Sequence, residues 1–321
     1  AEILDELCQI PEFDMGLTGF DSPDISAVFD RVQKENDGDD FDFQSEVASI
    51  DEPVTQKGDL IQLGSHRILC GDSSNIDDLK KLFSDRKAAL LHTDPPYNVD
   101  YYGGNRPHGK GRPKDCRHWK KIYSDNLSQE QYEEWFSAIL KNAIQFLDEG
   151  APAYVWNGHK QFGPMHQMLT KLNFYVSSVI TWGKPNFAIG YGDYNQQTEF
   201  CLYGWRRDNG KHRWYGPTNE STLWEINRDV TSAYIHPTQK PIGLAQRAIR
   251  NSSLRNEIVL DLFLGSGSTL IAAESLGRVC YGVEIDPRYC DASARRYIAY
   301  VGAENVSLEI RQKYAREGVT S

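Results

Sequence analysis

From about residue 58 the apolar positions of this chain follow two alternating rhythms. Leu60-Ile61-Gln62-Leu63 and His66-Arg67-Ile68-Leu69-Cys70 flank Gly64-Ser65 and predict a β-hairpin. Apolar side chains at 76, 79, 82 and 83 predict a helix from Ile76 to Phe83. The run Ala88-Ala89-Leu90-Leu91-His92-Thr93 reads as a buried strand entering Asp94-Pro95-Pro96-Tyr97. Residues 128–147 place Tyr132, Trp135, Phe136, Ile139, Leu140 and Ala143 on one helical face behind Ser128 as N-cap. Strands are expected at 153–156, 174–182, 199–205, 257–263 and 278–285. Helices are expected at 162–172, 242–251 and 268–276, with a last one opened by Asp286 as N-cap and Pro287. Strands alternating with helices predict an α/β architecture, a sheet covered on both faces.

Residues 1–57 break that rhythm. Asp37-Gly38-Asp39-Asp40-Phe41-Asp42-Phe43 is dense in like charge and predicts a solvated, extended linker. A short helix is expected at 22–29, with Ser22 as N-cap and Pro23 at the first helical position. This stretch also changes what the net charge of −10 means. Residues 1–60 hold 17 of the 45 acids and three of the 35 bases, which leaves the remaining chain at +4. An acidic head thus precedes a mildly basic body, and a nucleic-acid partner stays open.

Composition adds exclusions. With 40 % hydrophobic residues a real core can be buried, while no apolar run reaches the ~18 residues a membrane span needs. The six cysteines are scattered and include no C-x-x-C pair, which disfavours a zinc ribbon or a disulfide framework. No metal site is expected. The acidic start lacks the cationic opening of a secretory leader, and a reducing cytoplasm is the expected location.

Two constellations carry chemistry. Glu257 to Phe263 is a strand, Leu264-Gly265-Ser266-Gly267-Ser268-Thr269 a tight turn into a helix, and Val279 to Val283 a strand ending at Glu284, 19 residues past Gly265. Glycines let the backbone approach a ligand, and an acid ~20 residues on can accept bonds from ribose hydroxyls. Leu270 stands where a dinucleotide fingerprint has a third glycine, which favours a nucleoside without pyrophosphate, S-adenosylmethionine over NAD. In the second constellation, Pro95 and Pro96 stiffen the chain just after a strand and fix the Asp94 carboxylate and the Pro95 carbonyl as acceptors. Two acceptors on the hydrogens of an exocyclic base amine return electron density to its nitrogen, and Tyr97 can stack on an extruded base.

With these residues in place the chain resembles the amino-group DNA methyltransferases that use S-adenosylmethionine. Asp94-Pro95-Pro96-Tyr97 matches their catalytic motif and Asp261-Leu262-Phe263-Leu264-Gly265-Ser266-Gly267 their cofactor motif. His236-Pro237-Thr238-Gln239-Lys240-Pro241 resembles the segment before the cofactor motif in the family's circularly permuted β-class order, and Gly71-Asp72 a motif ahead of the catalytic strand. The resemblance covers roughly 58–300. It implies a class I methyltransferase (Rossmann-like) doubly wound sheet over residues 58–304, with an acidic N-terminal extension (1–57) and a C-terminal tail (305–321). It also implies cofactor contacts from Asp72, His236, Thr238, Lys240, Asp261, Phe263, Gly265, Gly267, Ser268, Thr269, Glu284 and Ile285. Lys240 would pair with the cofactor's carboxylate. Segments 199–205 and 221–225 are similar to phage- and prophage-type modification methylases, which often carry an upstream ParB-like domain. Leu17-Thr18-Gly19-Phe20-Asp21 resembles the tail of one. The Asp at the head of the catalytic motif implies adenine N6 as target, with cytosine N4 the alternative.

Double-stranded DNA is the implied partner, in a bacterial or phage-encoded, nucleoid-associated enzyme; a homodimer is compatible with this. Residues 98–121 carry seven bases, among them Arg106, Lys110, Arg112, Lys114 and Arg117, against two acids, and form a basic loop suited to phosphates. A target-recognition segment is expected at 206–235, with Arg206, Arg207, Lys211 and Arg213 as DNA contacts. Trp182-Gly183-Lys184-Pro185-Asn186 lines the base pocket or forms core and turn. His92 reads as a satisfied core histidine. The rival readings are an RNA or protein amide methyltransferase, a DNA-binding regulator on a catalytically weak methylase body, and, more distantly, an NAD enzyme.

Overall fold

A computed structural model describes residues 21–32, 39–99, 125–188, 193–226 and 240–315. Its hairpin is β1 (Leu60–Leu63) and β2 (His66–Cys70), followed by α3 (Ile76–Phe83), with α1 (Ser22–Val32) and α2 (Phe43–Ala48) upstream. Then come β3 (Leu90–Thr93), α4 (Gln129–Ile144), β4 (Pro152–Asn157), α5 (Phe162–Lys171), β5 (Phe174–Ala188), β6 (Gln196–Arg206) and β7 (Leu223–Glu225). The chain closes with α6 (Ile242–Ser252), β8 (Ile258–Asp261), α7 (Ser268–Ser275), β9 (Val279–Glu284), α8 (Pro287–Val301) and α9 (Leu308–Tyr314).

The strands form one sheet in the order β1-β2-β9-β8-β3-β4-β6-β5-β7. Strands β2, β9, β8, β3 and β4 run parallel, and β6 is antiparallel between β4 and β5. The period of two along each strand sorts side chains onto two cores. Leu90, Tyr154, Trp156 and Val259 face α6, α7 and α8, while Leu91, Ala153, Val155 and Leu260 face α3, α4 and α5. The last two long strands in sequence, β8 and β9, sit between β2 and β3. From β8 the chain winds through α7 toward β9, and from β3 through α4 toward β4, so their carboxyl ends diverge and open a crevice.

Two expectations need correction. The acidic stretch is no solvated linker over residues 39–57. Phe43, Val47 and Ile50 are buried against Ala292 of α8, each worth ~1.5–3 kcal/mol of burial. Its acids pair with arginines of α8, Arg296 with Asp39 and Arg295 with Glu46, instead of repelling one another. In α1 the capping carboxylate belongs to Asp21, which accepts from the Asp24 N–H at 2.8 Å, one residue before the expected Ser22. The tail also packs, with Tyr314 buried and its hydroxyl 3.0 Å from that of Thr55.

Candidate active site

Strand β3 is buried at every position and delivers Asp94 to the carboxyl edge of the sheet. There the Pro-Pro step ends the strand, and the Tyr132 hydroxyl of α4 donates to the Pro96 carbonyl at 2.8 Å, fixing the turn. Asn98, at φ 55°, closes a reciprocal pair with Leu127, donating to its carbonyl at 2.9 Å and accepting from its N–H at 2.8 Å.

Around Asp94 the fold gathers a buried cluster of charge. Lys240, at the start of α6, lies 2.7 Å from Asp94 Oδ2, 2.9 Å from Glu199 Oε2 and 2.7 Å from the Tyr97 hydroxyl. The Tyr97 hydroxyl is itself 2.8 Å from Asp94 Oδ1 and 3.1 Å from Glu199. Lys184 closes the set on the other oxygen of Glu199. Two carboxylates and two ammonium groups therefore balance in a site walled by Trp156 and Trp182, whose rings lie 5.2 Å from Lys240 and 5.4 Å from Lys184. Burial raises the Asp94 carboxyl above its ordinary range, although Lys240 opposes the shift. Burial would raise Glu199 as well, but Lys240 and Lys184 outweigh it and hold it at about 2. The Lys240 ammonium is disfavoured by burial, yet Asp94 and Glu199 prevail and leave its pKa raised. Burial also keeps Tyr97 a neutral phenol, its pKa well above the usual value.

Across the crevice, Gly265 (φ +53°) and Gly267 (φ +79°) take left-handed conformations that side chains rarely adopt, which explains glycine at both. Glu284, at the end of β9, accepts from the Gly265 N–H at 2.9 Å and from the Asp286 N–H at 2.8 Å. Burial among the strand ends pushes its carboxyl up to about 7. Asp72 sits on the same rim, after β2, and accepts from Ser74 N–H and hydroxyl at 2.8 and 2.7 Å. The adjacent Gly71 N–H donates to the Glu284 carbonyl at 2.9 Å. Phe263 packs on Trp135 of α4, ring centroids 5.7 Å apart. Ile285 follows Glu284 on this rim, half-buried.

A relay joins the two motifs beneath this surface. The Trp156 indole N–H can only donate, so His92 Nε2 accepts it at 3.1 Å and its Nδ1 carries the proton. Nδ1 then donates to the Thr269 hydroxyl at 3.1 Å, which donates to Asp261 at 2.6 Å. Burial drives the His92 imidazole down to about 3, so it stays neutral. His92 is thus a bonded core histidine.

The structure brings Asp72, Asp94 to Tyr97, Lys240, Asp261, Phe263, Gly265, Gly267, Ser268, Thr269, Glu284 and Ile285 to the carboxyl edge, with different employments for some. Lys240 stands on Asp94 and Glu199 instead of offering an unengaged ammonium. Asp261 and Thr269 are 4 % and 2 % exposed and bonded to each other, so they brace the turn. Ser268 donates to the Lys240 carbonyl at 2.9 Å, tying that lysine to the turn. His236 and Thr238 lie outside the described residues, as do Arg106, Lys110, Arg112, Lys114 and Arg117.

The cations of the 206–213 stretch do not reach this edge. Arg206, at the end of β6, donates its N–H to the carbonyl of Ala151, just ahead of β4, whereas Asp94 sits level with the last residues of β4, roughly 16 Å away along the strand. Arg206 caps α4 through the Ile144 and Leu147 carbonyls and pairs with Asp208 at 3.0 Å. Arg213 bridges Asp148 at 3.0 Å and Glu257 at 3.1 Å. Arg207 lies over the Tyr175 ring, and Lys211 is an exposed neighbour. A basic, aromatic-rich composition suggests recognition; the geometry assigns Arg206 and Arg213 to ion pairs beneath the sheet.

Sequence reasoning does not single out Glu199 as a site residue, and it names Lys184 only within a segment that lines the base pocket or forms core and turn. Their signal is the period of two: Ile180-Trp182-Lys184 and Glu199-Cys201-Tyr203 place one cation and one acid on inward, otherwise apolar faces.

A family model described as DNA methylase matches residues 88–295, and one described as ParB-methyltransferase HTH domain matches residues 1–57. Among curated relatives, the type II methyltransferase M2.MboI of Moraxella bovis is 27 % identical over 241 residues, 70 % of this chain and 85 % of that protein. Among solved structures, an M1.HpyAVI–SAM complex superposes with a TM-score of 0.52 at 23 % identity, covering 72 % of this chain and 98 % of the other. The cytosine-N4-specific PvuII DNA methyltransferase gives a TM-score of 0.58 at 18 % identity, covering 82 % of this chain and 94 % of the other. At such identities the two structures establish a shared fold.

Proposed function

The chain belongs to the DNA methylase family, and from that premise we propose that it moves a methyl group from S-adenosylmethionine to the exocyclic N6 amine of adenine in duplex DNA. The observation that carries this reading is the Asp94 carboxylate, fixed at the carboxyl end of β3 across one crevice from the glycine turn that follows β8.

The residues present fit the cofactor. Glu284 accepts backbone N–H groups and presents a half-buried carboxyl where a ribose diol would donate, and the left-handed glycines leave room for close approach. When bound, S-adenosylmethionine supplies a methyl group on a positively charged sulfur. Asp94 and the Pro95 carbonyl accept the amine hydrogens of the extruded base, which restores lone-pair density to nitrogen. The cofactor would supply its methyl carbon to that nitrogen, the electron pair of the carbon–sulfur bond staying with sulfur and the surplus amine proton passing to solvent. Tyr132 keeps the acceptor turn rigid, and Tyr97 offers its ring to the base. Asp94 must first be released by Lys240. Glu199 makes that exchange feasible, because Lys240 keeps a carboxylate partner 2.9 Å away when Asp94 takes the amine.

The Asp that begins the catalytic motif supports adenine as target. The basic residues of 98–121 and the helix-turn-helix match over 1–57 support duplex DNA as partner. The test is incubation with labelled S-adenosylmethionine and mixed-sequence duplex DNA, followed by digestion to nucleosides. Label in N6-methyl-2′-deoxyadenosine is the expected result. Label in N4-methylcytosine would overturn the base assignment, and unlabelled DNA would overturn the reading. Asp94→Asn should lower kcat about 10²–10³-fold with cofactor affinity retained.

A further inference from the structure

The glycine turn is gripped from behind by α8, and that grip ends on a residue of the N-terminal segment. Ser293 Oγ donates to the Gly265 carbonyl at 3.1 Å, and Arg296 Nη1 donates to the Ser266 carbonyl at 2.8 Å. Two side chains three residues apart on one helix face therefore hold consecutive carbonyls of the turn. A trans peptide directs its N–H opposite its C=O, so the same two bonds aim the next two N–H groups away from α8.

Arg296 can do this only because it is itself held. Its side chain is 0 % exposed, and a buried guanidinium needs an opposite charge in fork geometry. Asp39 provides it, accepting from Nε at 2.7 Å and from Nη2 at 2.8 Å. The third nitrogen is thereby left to point at Ser266. Asp39 lies in the stretch matched to the helix-turn-helix domain, and Arg296 lies just past the end of the methylase match. The Arg296 half of the turn's support is thus assembled from outside the matched catalytic part, while Ser293 lies within it.

We infer that Asp39 is a positioning residue for the cofactor: by clamping Arg296 it sets the glycine turn, so the N-terminal segment governs cofactor affinity. This rests on the S-adenosylmethionine reading above. Segment and methylase then form one binding unit, in which the Arg296 guanidinium joins the segment directly to the turn.

The test is calorimetric titration of the full chain with S-adenosylmethionine, alongside steady-state kinetics on duplex DNA. Asp39→Asn should raise the cofactor Kd and KM roughly tenfold while kcat at saturating cofactor stays within about threefold. Glu46→Gln is the control, because it breaks the Arg295–Glu46 pair of the same segment without touching the turn. It should lower Tm and leave Kd unchanged. Should Asp39→Asn leave a buried cation too costly to fold, the double variant Asp39→Asn/Arg296→Gln removes that charge and should still bind cofactor weakly. Kd within twofold of wild type in either Asp39 variant overturns the inference, as does an equal rise in Glu46→Gln. A wild-type chain that binds no S-adenosylmethionine would sink the underlying reading itself, a failure separable from a wild type that binds and variants that bind equally well.

Discussion

Glu199 is the residue on which the charge cluster turns, because it holds both lysines while Asp94 faces the crevice. Replacing it with Gln leaves two buried ammonium groups sharing one carboxylate, a loss of about 3 kcal/mol on the scale of broken buried pairs. Lys240 would then have no second carboxylate and would stay on Asp94. Glu199→Gln should therefore depress single-turnover methylation at least ~30-fold with little change in cofactor Kd, beside a lower urea midpoint. Wild-type turnover in this variant would refute the exchange of Lys240 between the two carboxylates. Glu284 carries a different signature. Its carboxyl titrates near 7 in the folded chain because burial penalises the charge. A carboxyl raised on folding binds its proton while the unfolded chain has already lost it, so its contribution to stability declines as pH rises from about 4.5 to 7 and is then constant. Cofactor binding runs the opposite way, since ribose hydroxyls need the ionised acceptor. Affinity should climb between pH 5.5 and 7 and level off, and Glu284→Gln should both weaken binding and flatten that profile in a titration series.

Elements show why part of this protein is legible in its sequence. Helix α4 is legible because its signals are local: Ser128 and Gln131 close a capping box, and the apolar stripe behind them is buried. The Tyr132 hydroxyl on that stripe fixes the catalytic turn, so Tyr132→Phe should cost about 1 kcal/mol of stability. It should lower kcat several-fold without changing cofactor KM, a split measurable by steady-state assay. The hairpin, the two motif strands and the glycine turn are legible for the same reason, since each is written within a dozen residues. Strand β5 is legible only to Trp182 but runs to Ala188, because Lys184, Pro185 and Asn186 interrupt the apolar pattern and the pairing with β6 decides instead. Helix α2 is hidden altogether. The acids within and just before it look like a repelling run until Arg295 meets Glu46 and Arg296 meets Asp39, and pairing across some 250 positions leaves no mark on local periodicity. The same blindness hides the Lys184–Glu199–Lys240–Asp94 network, whose members come from four separate parts of the chain.

At the scale of the whole molecule, Arg206 and Arg213 are engaged in ion pairs that composition alone does not reveal. The cluster at Arg206 and Arg213 lies at the amino edge, where Arg213 fastens the entry to β8 onto the turn before β4 through Glu257 and Asp148. The described residues that flank the basic stretch, Asn98 and Leu127, pair with each other beside Asp94 to Tyr97 at the carboxyl edge. Neutralising each group should therefore have separable consequences. Arg213→Gln should lower stability by about 1 kcal/mol and leave DNA affinity and its salt dependence unchanged. Neutralising Arg106, Lys110 and Arg112 together should leave Tm unchanged and weaken duplex binding. It should also reduce the slope of log K against log salt by ~0.9 for each phosphate that no longer meets a cation. Fluorescence anisotropy with one duplex across a salt series measures both variants in the same units. A slope that moves with Arg213 and not with the 98–121 cations would return recognition to the 206–213 stretch and require DNA to approach the amino edge, away from Asp94.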